Sequence, residues 1–259
     1  MKYVITNQFR NESSRLEEWI LYHSYQGFDS FILFDDWSDD NSVEILNKLR
    51  DKYSLNIIVE KTDGKGVKYK NSSETNSYNG NIDVAWRIAR SATKGLEIAR
   101  QNNPHSIIFI GEVDEFLHTP LDIKVVDLIE NLQLKHNEKH LYIQSFDVCD
   151  SFTLDKPILT QACTTNRWGY QWRKKTIFND RGKSITTPST TNKVLEQGGH
   201  IHYLTTGDKN IFPQSKRVDW QTLRIHHFRK PSYIQNFNEY DDSLYKKAIK
   251  IKEYFNVQL

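Results

Sequence analysis

The feature that most constrains this chain is Ile107-Ile108-Phe109-Ile110, followed at once by Gly111-Glu112-Val113-Asp114-Glu115 and closed by Phe116-Leu117. An unbroken apolar run rich in β-branched residues reads as a strand buried on both faces. Ending in a glycine and three carboxylates, it delivers acidic side chains to one edge of a sheet, where open α/β sheets place their ligands. Read as extended chain, Glu112 and Asp114 fall on the same side and Glu115 on the other. Two oxygen donors on one side suit a hard divalent cation, Mg2+ or Mn2+, with positions left for phosphate oxygens. The competing reading is an ordinary solvated turn.

The chain before this run alternates. Lys2 to Asn7 reads as a strand, and Ser14-Arg15-Leu16-Glu17 reads as a capping box opening a helix whose inward stripe is Leu16, Trp19, Ile20 and His23, ended by Gly27. Phe31 to Phe34 is the next strand and leads into Asp35-Asp36-Trp37-Ser38-Asp39-Asp40-Asn41-Ser42. Asn41 with Glu44 signals a helix through about Tyr53, and Leu55 to Val59 a third strand. Strand and helix in alternation predict parallel pairing and a doubly wound α/β sheet. Residues 61 to 81 form a basic, glycine- and serine-bearing loop, and Ile82 to Gln101 a long helix feeding the acidic run.

Beyond Pro120 the spacing predicts a helix over Ile123 to Leu134 and a strand over Leu141 to Phe146. Lys175 to Phe178 reads as extended. His200 and His202 share a face if Gly199 to Leu204 is a strand, whereas of the adjacent His226 and His227 only one can face a site. Imidazole is a competent ligand for Mn2+ as well as Zn2+. At the end, Leu244, Ala248, Ile251 and Phe255 make the inward face of an amphipathic helix with Lys246, Lys247 and Lys250 mostly outward.

Charge narrows the partners. Thirty-five Lys and Arg against 33 Asp and Glu give a net charge of +2, so no global field points to nucleic acid. Cys149 and Cys163 lack the spacing of a metal or redox motif and read as free thiols in a reducing compartment. The first residues turn polar too soon for a signal peptide, and no apolar run is long enough to span a bilayer, so a cytoplasmic location is expected.

Several short stretches resemble the glycosyltransferases of the GT-A fold, family 2 and especially family 92, the former domain of unknown function 23. Arg10-Asn11-Glu12, Glu18-Trp19-Ile20, Tyr22-His23 and the Asp-rich turn from Phe34 to Ser42 match that family's series in order. Glu112-Val113-Asp114-Glu115-Phe116-Leu117 is similar to its Asp-x-Asp-Glu-Phe-Leu. Arg167-Trp168, Lys175-Thr176-Ile177, Ile201-His202 and Ile225-His226-His227-Phe228 are similar to its later motifs. The departures are Glu112 for the family's Asp, one methylene longer, and His226 for its Asn.

The resemblance implies a GT-A, Rossmann-like α/β fold with a mixed, mainly parallel central sheet flanked by helices. A glycosyltransferase domain would span residues 1 to 235, with residues 236 to 259 a C-terminal amphipathic helix packing on it. It implies transfer of a sugar from a nucleotide-sugar donor, a UDP-sugar in this reading, to a hydroxyl of a glycan acceptor, with inversion. Arg10, Asn11, Asp35, Asp36, Lys175 and Arg229 are the implied donor contacts. Glu112, Asp114, His227 and His202 are the implied ligands of Mn2+ or Mg2+. Asp150, with Asp147 behind it, is the candidate base, and Trp168 and Tyr170, with Trp172, the candidate acceptor wall. Two other classes compete: a metal-dependent hydrolase using the carboxylates and histidines, and an inactive GT-A domain serving as a binding module.

Overall fold

The computed structural model describes residues 1–62, 77–136, 140–149, 164–166, 182–189, 193–194, 204–206, 209–211, 218–219, 221–228, 238–240 and 243–257. Strands β1 (Tyr3–Phe9), β2 (Ser30–Asp35), β3 (Asn56–Lys61) and β4 (Ile107–Ile110) run parallel in the order β4-β1-β2-β3. Their alternating side chains feed two cores. Ile5, Phe31, Leu33, Ile107 and Phe109 pack with Leu16, Trp19 and Ile20 of α1 (Leu16–Tyr25) and Leu46 and Leu49 of α2 (Ser42–Tyr53). Val4, Ile32, Phe34, Ile108 and Ile110 pack on the other face against Ala89, Ala92, Leu96 and Ala99 of α3 (Ser77–Asn102). A strand covered on both faces needs no polar side, which is why β2 is buried at all six positions. Each fully buried side chain of the size of Ile5 or Phe109 contributes about 1.5–3 kcal/mol.

The small residues of α3 bring it close to the sheet. A Cβ at Gly95 would lie 2.1 Å from Thr6 Oγ1, so the contact admits only glycine. Gly27 ends α1 at φ +100, as its position in the sequence predicts.

After β4 the chain turns and forms β5 (Glu115–His118), then α4 (Val125–His136) and β6 (Leu141–Cys149). The short strands β7 (Thr164–Asn166), β8 (Gly182–Thr186), β9 (Lys193–Val194), β10 (Leu204–Thr206) and β11 (Lys209–Ile211) follow, then β12 (Arg224–Phe228) and β13 (Asn238–Tyr240). β8 inserts antiparallel between β4 and β6, extending the parallel sheet into a mixed one. β12 lies parallel to β6 and antiparallel to β5. β9, β10 and β11 make a separate small sheet. The Rossmann-like α/β architecture with a mixed sheet is therefore the one expected.

Helix α5 (Ser243–Phe255) joins the larger core through Leu244, Ala248 and Ile251. Lys247, expected on the outward side, is instead buried, its ammonium bonded to the Ile123 carbonyl at 3.4 Å. Burial lowers its pKa to about 8. The expected capping box at Ser14 does not form. The helix starts at Leu16, and the Glu12 carbonyl accepts both the Arg15 and Leu16 amides, closing the turn with backbone alone. No described helix is long and apolar enough to cross a membrane.

Candidate functional site

Among the described residues β5 pairs with one strand, β12, and the outward amides and carbonyls of Glu115 and Leu117 take their partners elsewhere. Helix α1 supplies most of them. Trp19 Nε1 donates to the Glu115 carbonyl at 2.9 Å, and the Tyr22 hydroxyl to the Leu117 carbonyl at 3.2 Å. The Leu117 amide donates to His23 Nε2 at 3.3 Å, and the Glu115 amide to the Glu112 carbonyl at 2.9 Å. His23 Nδ1 faces the Trp19 carbonyl at 2.9 Å, so it carries the proton and Nε2 accepts. Complete burial lowers the His23 pKa to about 3, which keeps the ring neutral and this tautomer in place. Trp19, Tyr22 and His23 together clamp the strand that follows the acidic turn.

That turn occupies residues 111 to 114, between β4 and β5. It is not the continued strand expected from the sequence, because the chain leaves the sheet at Gly111. A Cβ there would come within 2.4 Å of the Phe109 ring. The reversal still brings Glu112 and Asp114 together. Glu112, Asp114 and His227 each present a ligand atom, and these atoms lie within 4.8 Å of one another. His227 Nε2 is 3.2 Å from Asp114 Oδ2, and the Phe228 amide donates to the Asp114 carbonyl at 2.8 Å. As expected for neighbours on a strand, His226 faces the other way, against His118 and Arg224.

Glu115, expected to point away, turns back under the cluster. Its Oε2 accepts the Glu112 amide at 3.0 Å and lies 3.3 Å from Lys183 Nζ. The Glu112 carboxylate is also 3.3 Å from Lys183. Around Glu112 and Asp114 stand two more carboxylates, Glu115 and Glu12, against two permanent cations, Lys183 and Arg15. Carboxylates outnumber these cations, and at each one burial works against its charged partners. Burial pushes Glu115 up to about 7, with Lys183 opposing. Burial likewise raises Glu12 to about 7, Arg15 at 3.3 Å opposing and Asp114 adding to it. Burial alone would raise Asp114 too, but the hydrogen bond and charge of His227, with Arg15 and Lys183, hold it below the usual carboxylate range.

Two carboxylates and an imidazole, partly open to solvent, are a donor set that fits a divalent cation. An imidazole ligates through an unprotonated nitrogen, so His227 would hold a cation in its neutral form.

The Asp-rich turn lies at the same sheet edge, beyond β2. Asp36 is buried with one oxygen bonded to the Thr62 hydroxyl at 2.8 Å and the other 3.0 Å from the Arg87 guanidinium. Asp35 Oδ1 accepts the Ser38 amide at 2.8 Å. Asp40 caps two chain segments at once, accepting the Ser42 and Ser13 amides, each at 3.0 Å. Asn11, at φ +54, bonds across the gap through its own amide to Ser38 Oγ and its Oδ1 to the Asp39 amide, both 3.0 Å. Trp37, at φ +62 and 54% exposed, stands on the rim with Lys61 Nζ 5.1 Å from its ring.

The structure brings Arg10, Asn11, Asp35 and Asp36 to one turn and Glu112, Asp114 and His227 to the next. Asp150, Trp168, Tyr170, Lys175, His202 and Arg229 lie outside the described residues. Sequence reasoning missed Lys183. Its signal was available, since Lys183 is two residues from Ile185 on a strand and therefore shares its buried face. The contribution of Glu12 to the acidic field had no local signal, because a long stretch of chain separates it from Glu112.

The fold is thus a mixed α/β sheet whose edge carries a carboxylate and histidine cluster beside an Asp-rich turn, the edge at which open α/β sheets place their ligands. No protein-family model matches. The chain resembles proteins named as glycosyltransferase family 92. One from Oryza sativa subsp. japonica is 26% identical over 211 residues, 80% of this chain and 30% of that protein. One from Ricinus communis is 23% identical over 236 residues, 87% of this chain and 35% of that protein. The chain therefore spans about a third of the length of these curated relatives. Among solved structures, S. aureus TarS 1-349 in complex with UDP overlays at a TM-score of 0.43 and 11% identity, covering 100% of this chain and 67% of that one.

Proposed function

We propose that this chain is a glycosyltransferase that moves a sugar from a nucleotide-sugar donor, a UDP-sugar in this reading, to a hydroxyl of a glycan, with inversion. The observation that carries the reading is the placement of the Glu112, Asp114 and His227 cluster beside the Asp35 to Asp40 turn on one sheet edge, in a chain resembling family 92 proteins. In this reading the transferase unit is residues 1 to 235, with residues 236 to 259 packing on it, and it works in the cytoplasm.

The donor's nucleoside lies against Arg10, Asn11 and Asp35, with Asp36 holding the turn's shape through Thr62 and Arg87. Its diphosphate reaches the acidic turn, where Glu112, Asp114 and His227, with His202 as a further candidate, would hold Mn2+ or Mg2+. Held there, such a cation would supply Lewis-acid neutralisation of the leaving diphosphate. Lys175 and Arg229 add positive charge to the same leaving group. Asp150 accepts the proton of the attacking hydroxyl, and the acceptor sugar lies on Trp168 and Tyr170.

Release of nucleoside diphosphate from a panel of UDP-, GDP- and other nucleotide sugars, with Mn2+ or with EDTA, tests the reading. Release confined to one donor and abolished by EDTA is expected. Hydrolysis of simple phosphate esters instead would place the protein among metal-dependent hydrolases. Binding of a donor without turnover, even with a range of glycan acceptors supplied, would make it a binding module.

A further inference from the structure

Residue 112 is a glutamate, one methylene longer than an aspartate, and the structure holds a partner matched to that reach. Lys183 comes from β8, whose register against β4 pairs Phe109 with Ile185 and so carries Lys183 to the level of Gly111. Lys183 is 2% exposed, and its ammonium lies 3.3 Å from both Glu112 Oε2 and Glu115 Oε2. That Glu115 oxygen also receives the Glu112 amide, so backbone and side chain of Glu112 are fixed from one point.

A buried ammonium so placed could act in two opposite ways. As a competing charge it would repel an incoming cation. As an anchor it would hold Glu112 where the cation needs it, at a site whose remaining carboxylates keep the charge negative. The anchoring arrangement is favoured by where the charge sits. Lys183 is inside, and the side chains of Glu112 and Asp114, 29% and 26% exposed, face outward. We propose that Lys183, together with Glu115, is the positioning residue for Glu112 in divalent-cation binding, and that this pairing is what lets a glutamate serve at position 112. The inference rests on the cation-binding part of the proposed function. Groups that orient metal ligands without touching the metal typically alter affinity 10–100-fold when removed.

Mn2+ binding, followed by loss of the free-ion electron paramagnetic resonance signal, tests it without any turnover. Lys183→Met is expected to weaken Mn2+ binding about 10-fold or more, although it removes a positive charge. Lys183→Arg, which keeps the cation, is expected to recover most of it and to report on the role if the methionine variant does not fold. In a Glu112→Gln background, the Lys183 substitution is expected to add little further loss, since its effect passes through Glu112. Binding by Lys183→Met that equals or exceeds wild type, or full additivity with Glu112→Gln, would overturn the positioning role. A wild-type protein that binds neither Mn2+ nor Mg2+ would overturn the cation site itself and this inference with it.

Discussion

The two acidic turns at the edge of the parallel strands use their carboxylates in opposite ways. Beyond β2, Asp36 and Asp40 each accept on both oxygens from within the protein, and Asp35 accepts from Ser38. Beyond β4, Glu112 meets Lys183 and Asp114 meets His227, both carboxylates stay partly exposed, and two further carboxylates stand near them. The first turn is bonded and shaped from within the protein. The second keeps its two carboxylates partly open to solvent. Counting acidic residues alone would rank the Asp-rich turn, with four in six residues from Asp35 to Asp40, as the stronger cation site. The hydrogen bonds reverse that ranking.

Predictions that would break or sharpen this contrast run from large to small. Asp114→Ala is expected to reduce nucleotide-sugar turnover at least ~100-fold, because a cation's charge neutralisation is worth several kcal/mol. Its unfolding midpoint in urea should change far less than its activity. Asp36→Ala acts on the fold instead: it strands the buried Arg87 guanidinium and is expected to cost about 3–5 kcal/mol of stability in denaturant unfolding. A loss below about 1 kcal/mol there would mean the Asp36 contacts are not structural.

Trp19→Phe keeps an aromatic ring but leaves the Glu115 carbonyl without its donor. A cost of about 1–3 kcal/mol is expected in urea unfolding, with weakened Mn2+ binding because β5 carries Glu115. The smallest effect concerns pH. Glu12 is raised in the folded state to about 7 from an ordinary 4.5, so the folded protein holds its proton more tightly than the unfolded chain. Stability is then present at low pH and lost as pH rises from about 4.5 to about 7. Glu12→Gln is expected to flatten stability against pH in that window, and an unchanged slope would remove Glu12 from the acidic field.

The front of the molecule was legible because its elements obey local rules. β1 to β4, α1 and α2 follow from apolar runs and helical spacing, and the edge they build is where the Asp-rich turn and Glu112 had to lie. What local pattern could not carry was long-range placement. β8 wedges between β4 and β6, and nothing near Lys183 in sequence announces that Glu112 is its neighbour. The extended reading of residues 107 to 117 was wrong in conformation because it ignored the reversal at Gly111. Its pairing of Glu112 with Asp114 survived, since a tight turn also brings residues two apart together. Ser14 failed as a cap because the carbonyl of Glu12 served instead. Tyr22 and His23 stand out as motif residues, and the bonds they make to the edge of β5 explain what they do.

Whether the acidic turn receives a cation while the Asp-rich turn beside it receives the nucleoside is tested most directly by calorimetric titration of UDP into the wild-type protein, with Mn2+ and then with EDTA. Clear binding with Mn2+ is expected, weakened at least ~10-fold by EDTA, since the diphosphate would then face Glu112 and Asp114 without a bridging charge. Equal binding in the two conditions, or none in either, would contradict that division of labour between the two turns.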